Sequence, residues 1–116
     1  MSTTQINKYL EDVVTGSGTD VKNWDDIPDG QTWHLDKMGV CSTGESLIAL
    51  QKRIGVSPNV WQTIRMLRGP ANAEVEVNQD FVGDSSGIMK LRIVRRELSG
   101  SDQEIVVWAE GYKVVE

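Results

Sequence analysis

This sequence predicts a mainly β protein: an antiparallel β-sandwich or jelly-roll-like barrel with a short N-terminal arm or helix. Three observations carry that prediction. Side chains alternate between apolar and polar over several stretches, most cleanly in A-E-V-E-V-N-Q-D-F-V (73–82). A period of two is the mark of a half-solvated antiparallel strand. Turn signals such as Pro28-Asp29-Gly30 and Gly83-Asp84-Ser85-Ser86-Gly87 recur roughly every 8–14 residues, the spacing of sandwiches and jelly rolls. Finally, 116 residues with 39% hydrophobic and 25% charged content suit one soluble domain with a real core.

The elements follow in chain order. In residues 2–15, Ile6, Leu10, Val13 and Val14 fall at helical spacing with Tyr9 beside them. Ser2 with Gln5 can form a capping box, and Gly16 can end the turn. A helix is therefore the favoured reading, and an extended strand competes because Tyr9 and Val13–Thr15 suit β-structure. T-G-S-G-T (15–19) is a hinge signal. The chain then divides into an arm and hinge (1–18) and a β-sandwich domain (19–116). An apolar segment ahead of a hinge has the layout of an arm that docks on a neighbour; a segment folded back on its own core is the alternative.

Thr19–Trp24 reads as a short strand, and Pro28-Asp29-Gly30 as a turn. From Gln31, Trp33 and Leu35 point one way while Thr32 and His34 point the other. The next apolar pair, Met38 and Val40, is out of phase, so a β-bulge is expected near Asp36–Lys37. Ser46–Arg53 suits a strand covered on both sides. Residues 57–69 are ambiguous. Ser57-Pro58 and Gly69-Pro70 could bracket a helix with Val60, Ile64 and Leu67 on one face. As a strand, Trp61, Thr63, Arg65 and Leu67 would oppose Val60, Gln62, Ile64 and Met66, and the flanking strands favour this reading. In 73–82, Val75, Val77 and Phe81 go inward. The 83–87 loop is expected to close a hairpin into Ile88–Leu98, with Met89, Leu91 and Ile93 inward. A turn at Ser99–Asp102 leads to a last strand, Gln103–Val115, apolar on both faces. Gly111 there marks a bulge or a close backbone approach. The count is six or seven strands.

The chemistry-bearing residues are sparse. A single His34 and a single Cys41 exclude a Cys/His zinc site and an intrachain disulfide. His34 has no nucleophile motif paired with it, and Cys41 reads as a small buried hydrophobe. Asp25, Asp26 and Asp29 could in principle offer oxygen ligands to Ca²⁺, but their spacing is not that of an EF-hand and a solvated acidic turn is the simpler account. The Gly83–Gly87 loop joins strands, so it has no helix N-terminus for a phosphate. No nucleophile elbow, P-loop, zinc-protease or dinucleotide motif occurs. No enzyme activity, cofactor or metal site is expected.

The formal charge of −5 lies in residues 1–46, which hold eight acids and three bases; residues 47–116 hold nine of each. An acidic first half argues against general nucleic-acid binding. Lys90, Arg92, Arg95 and Arg96 nevertheless form a basic stretch, of which Lys90, Arg92 and Arg96 share an outward face. Salt bridges to Glu74, Glu76 or the acidic first half are expected for them. Of the four tryptophans, 24, 33, 61 and 108, two or three are expected in the core. The start M-S-T-T-Q-I-N-K-Y-L lacks the pattern of a secretory signal, and no run nears the ~20 apolar residues of a membrane span.

I-P-D-G-Q-T-W-H-L (27–35) resembles the opening strands of small β-sandwich structural proteins of tailed bacteriophage particles. F-V-G-D-S-S-G-I-M-K-L-R-I-V (81–94), with W-A-E-G-Y (108–112), is similar to their closing hairpins. The likeness spans about a third of the chain and is one of turns and alternation. It implies a virion structural protein, of the capsid decoration (cementing) or fibre type, present in repeated copies. On that reading the protein assembles in the host cytoplasm and ends in the virion. Its partners are capsid or other virion proteins, and it is a homo-oligomer, a trimer being the simplest guess. The candidate partner-binding residues are Ile6, Tyr9, Leu10 and Val13 on the arm, Trp108 and Tyr112 on the last strand, and Arg92 and Arg96 on the basic stripe. A carbohydrate- or receptor-binding module of a tail or fibre is the alternative. No nucleic acid or membrane partner is expected.

Overall fold

A computed structural model describes residues 2–14, 19–69, 72–98, 100 and 103–116; for 6–14, 20, 22–25, 69 and 103 it describes the backbone alone. The expected hinge at 15–18 lies outside the described residues. Eight strands follow one another: β1 (Ser2–Val14), β2 (Thr19–Asp26), β3 (Gln31–Ser42), β4 (Ser46–Val56), β5 (Asn59–Gly69), β6 (Asn72–Val82), β7 (Lys90–Glu97) and β8 (Gln103–Val115). They form two four-stranded sheets, ordered β1-β8-β3-β6 (the front sheet) and β2-β7-β4-β5 (the back sheet).

The antiparallel pairs β1/β8, β2/β7, β3/β6 and β4/β5 nest one inside the next. Such nesting is what a long hairpin produces when it is rolled up so that alternate pairs fall in opposite sheets, and it defines a jelly roll. Inward side chains of both sheets make one core: Trp33, Leu35, Met38 and Val40 of β3, Val77 and Phe81 of β6, Ile105, Val107 and Ala109 of β8, Ile48 and Leu50 of β4, Leu91 and Ile93 of β7, and Leu67 of β5.

The bulge expected in β3 is present. Leu35 pairs with Gly111 and Lys37 with Glu110, so Asp36 is an extra residue against β8. That one residue lets Trp33 and Leu35, and then Met38 and Val40, all face the core. Opposite it, β6 carries its own irregularity at Asn78, which has a φ of 45°.

Several expectations are corrected. Residues 2–14 form a strand and not a helix: β1 pairs with β8 over its whole length, from Ser2↔Val115 to Val14↔Gln103. The open edge of a thirteen-residue β8 offers backbone partners that no isolated helix could match, so tertiary pairing overrides the helical spacing. This strand raises the count to eight. The Gly83–Gly87 segment does not close a hairpin, because β6 lies in the front sheet and β7 in the back sheet; it carries the chain across the sandwich. Residues 59–69 are a strand, as the flanking strands favoured, with Ser57-Pro58 as the turn of the β4/β5 hairpin. Its faces are not uniform, however. The register shifts between Leu50↔Arg65 and Gln51↔Thr63, so Ile64 is bulged. Trp61 and Thr63 therefore face outward, while Leu67 is buried and Ile64 packs on the core.

The sandwich is also tied at its β5/β6 side. Arg65 donates from Nε to the Glu76 carbonyl and from Nη2 to the Val77 carbonyl, both at 3.1 Å. This links the edges of the two sheets and occupies carbonyls that an edge strand leaves open.

Candidate partner-binding faces

The two outer faces of the sandwich are built from the residues left over when the core claims every second position. On the front sheet these are Thr32, His34, Lys37, Gly39 and Cys41 of β3, Glu74, Glu76 and Asp80 of β6, and Val106, Trp108, Glu110 and Tyr112 of β8. The Trp108 indole lies flat over Gly39: a Cβ at Gly39 would sit 2.3 Å from its Cζ2. The ammonium of Lys37 stands 5.8 Å from the centre of the same ring and faces Glu74 at 3.6 Å and Glu110 at 3.9 Å. Beside it, an open groove of 240 Å³ is lined by Val40, Cys41, Asn72, Ala73, Glu74 and Trp108.

At the other end of this face, His34 stacks on Tyr112, with ring centres 4.9 Å apart and planes 25° from parallel. Its Nδ1 is 2.7 Å from Asp80 and its Nε2 is 3.0 Å from Asp36. The histidine thus clips the bulge residue Asp36 to β6. This places His34 on the face opposite Trp33, as its alternation implies, and it presents a ring pair flanked by two carboxylates.

On the back sheet, Trp61 of β5 stacks under the guanidinium of Arg92, 4.0 Å from the ring centre, with Arg53 at 5.9 Å on the same ring. Arg92 donates from Nε to Gln51 Oε1 at 2.8 Å, and Arg53 donates to the carbonyls of Ile88 and Gly87 at 2.9 and 3.1 Å. Partial burial lowers the pKa of Arg92 from its usual value, yet a guanidinium stays charged in proteins. Lys90 pairs with Asp26 at 3.3 Å, an acid of the first half, as expected. Glu74 and Glu76 do not serve the basic stripe, since they stand on the other sheet. Arg95 leaves the stripe altogether. It shares the inward parity of Leu91 and Ile93, is fully buried, and reaches across to the Ile105 carbonyl at 3.5 Å.

The structure divides the candidate residues between two surfaces. Trp108 and Tyr112 are on the front face, Trp108 half-buried and Tyr112 40% exposed. Arg92 and Arg96 are on the back face, on the far side of the sandwich. Ile6, Tyr9, Leu10 and Val13 belong to β1, where they stand opposite Gly111, Trp108, Val107 and Glu104; their side chains lie outside the described residues. The arm runs alongside β8 in the same sheet and does not lie across its outer face. Of the tryptophans, Trp33 is in the core, Trp61 and Trp108 are half-buried on the two outer faces, and the Trp24 side chain lies outside the described residues. Cys41 is exposed and not buried, because the bulge at Asp36 turns Val40 inward and Cys41 outward.

Sequence reasoning missed the exposed apolar residues of the back sheet, Val21 and Met66, and of the β4/β5 hairpin, Ile54, Val56 and Val60. The bulges in β4 and β5 that expose several of them have no marker in residue type.

No family model matches this chain, and no curated protein sequence matches it. Solved structures do. The Yersinia pseudotuberculosis-derived mitogen superposes with a TM-score of 0.58 at 12% identity, over 90% of this chain and 84% of that one. A chain of the cyanophage Pam1 capsid asymmetric unit gives 0.56 at 12% identity, over 95% and 85%. A chain of infectious bursal disease virus, Gx strain, gives 0.54 at 9% identity, over 98% of this chain and 32% of that one. The shared feature is the jelly roll. At these identities the likeness extends to the fold and no further.

Proposed function

We propose that this chain is a non-enzymatic structural protein of a virus particle, a capsid decoration protein that adheres to neighbouring virion proteins through its front face and assembles in several copies. One observation carries the reading: β8 fills the core with Ile105, Val107 and Ala109 and still sets Val106, Trp108 and Tyr112 on the outside of the sheet. Aromatic side chains left on a flat, half-buried face are the anchors of protein interfaces. The jelly roll shared with a Pam1 capsid chain supports a virion location. A protein that binds only the assembled shell stabilises it by mass action.

Binding of the purified chain to undecorated capsids of the phage that encodes it tests this. Trp108→Ala with Tyr112→Ala should lower capsid occupancy at least ~10-fold, the loss expected of interface anchors. Occupancy that is absent for the native chain, or unchanged by the double substitution, would refute the reading.

The Tyr112–His34 ring pair between Asp36 and Asp80 favours one second reading, a carbohydrate- or receptor-binding module of a tail or fibre. An exposed aromatic face beside hydrogen-bonding carboxylates is what a sugar ring stacks on. Binding of the isolated protein on a glycan array, lost in Tyr112→Ala, would support it over decoration.

A further inference from the structure

One register row crosses all four strands of the back sheet: Val21 opposite Val94, Val94 opposite Ala49, and Ala49 opposite Met66. Its ends are open to solvent, Val21 at 46% and Met66 at 56%. The row is rimmed by cations on both sides. Arg92 with Trp61 and Arg53 lies toward one end of the sheet. Arg96 stands opposite Leu47, and Leu47 opposite Arg68, toward the other. The acids on this face among the described residues, Asp26 and Glu45, are matched by Lys90 at 3.3 Å and Arg68 at 2.8 Å. Arg92 and Arg96 have no ion pair among the described residues. The front face has the opposite character. Among the described residues, Asp36, Glu74, Glu76, Asp80, Glu104 and Glu110 outnumber Lys37 there, around Trp108 and Tyr112.

We propose that the back face of one copy of this chain seats on the front face of the next, in a head-to-tail contact. The proposal rests on the multi-copy structural reading above and names the surfaces that would build it. Charge decides the geometry. Two back faces would set Arg92 and Arg96 against their own copies, and two front faces would crowd carboxylates together. Only the mixed contact brings the arginine rims to the acids and the Val21–Met66 row to the aromatic pair. Size allows it: the molecule measures 45 × 31 × 18 Å, so each broad face exceeds the ~800 Å² per partner of a standard interface. Because the two faces are on opposite sides of a thin sandwich, a dimer leaves one of each unoccupied, and assembly continues as an open stack whose terminal front face is the one left for the capsid.

Sedimentation velocity on the full chain tests the contact. The native chain should form species beyond a dimer as concentration rises, and association should weaken at least ~10-fold between ~0.05 and ~0.5 M NaCl, as screening of the arginine–carboxylate contacts requires. A back-face variant, Met66→Asp with Arg96→Glu, and a front-face variant, Glu74→Lys with Glu110→Lys, should each be monomeric. All four positions are on the surface, and an unchanged thermal melt checks the fold. Mixed, the two variants should form a one-to-one dimer that grows no further, since each still carries the face that the other has lost. A monomeric native chain, a single-face variant that still self-associates, or a mixture that stays monomeric would each overturn the proposal. So would capture of duplex DNA by the arginine rims in place of self-association. A native chain that is monomeric but decorates capsids defeats this contact and leaves the decoration reading intact; the reverse pattern defeats the decoration reading alone.

Discussion

At Gly111 the backbones of β8 and β3 come so close that a Cβ would sit 1.9 Å from the His34 carbonyl oxygen and 2.9 Å from its carbon. Residues 34 and 35 cannot retreat, since β3 is held between β6 and β8 and the bulge follows at once. Gly111→Ala should cost about 2–3 kcal/mol in urea unfolding, the range for overpacking a site that cannot relax. Gly39→Ala is the control. There the obstacle is the half-buried Trp108 indole, which can swing outward, so the expected loss is about 1 kcal/mol with a red shift in tryptophan emission. Equal costs at the two positions would contradict the rigid β3–β8 spacing. A second residue-scale effect concerns Asp84, whose carboxylate accepts hydrogen bonds from the Ser86 hydroxyl and, at 2.9 Å, the Ser86 amide. These bonds hold its pKa below the ordinary 3.8. The fold favours the ionised form, so the contribution is complete above that value and disappears as pH falls through the lower folded one. Asp84→Ala should be less stable than the native chain at neutral pH, and the gap should close on acidification. A gap that holds steady into strong acid would show that the turn does not use the charge.

Among the elements, β3 depends on one residue. Asp36 is exposed, and its side chain pairs with His34 at 3.0 Å, yet its place in the chain allows two apolar pairs of opposite parity to reach one core. Asp36→Ala should cost under about 1 kcal/mol, as a surface ion pair does. Deleting Asp36 should prevent folding, because a one-residue slip turns Met38 and Val40 to solvent. Far-UV circular dichroism and a thermal melt distinguish the two; a deletion variant that melts like the native chain would mean that the bulge is dispensable. The phase slip was readable in the sequence because apolar parity changed within one run. The bulge at Ile64 was not, since Trp61, Thr63, Arg65 and Leu67 alternate without interruption and only pairing with β4 shows the break. The same limit applied to β1, where helical spacing and β-branched residues coexist and the open edge of β8 settles the matter.

For the whole molecule, function follows from which surplus side chains stand on which side of an 18 Å sandwich. The aromatic pair and the basic stripe were both visible as candidates, but as one list. The fold sends Trp108 and Tyr112 to an acidic face and Arg92 and Arg96 to a basic one. On the decoration reading, capsid binding responds to the front-face aromatics and self-association to both faces, so back-face variants should separate the two assays. Arg95 shows how far a stripe can mislead: three of its four bases are on the surface, and the fourth is in the core because parity, not composition, assigns the face.

The sequence by itself determined the fold class, the principal core positions and the bulge at Asp36. All of these follow from local alternation, which a strand converts directly into two faces. Tertiary structure alone decided the roll of the strands, the passage of 83–87 between sheets, the strand state of 2–14 and the segregation of charge onto opposite faces. Those depend on which distant backbone edges meet, and a hydrogen-bonded edge accepts many side chains without naming its partner.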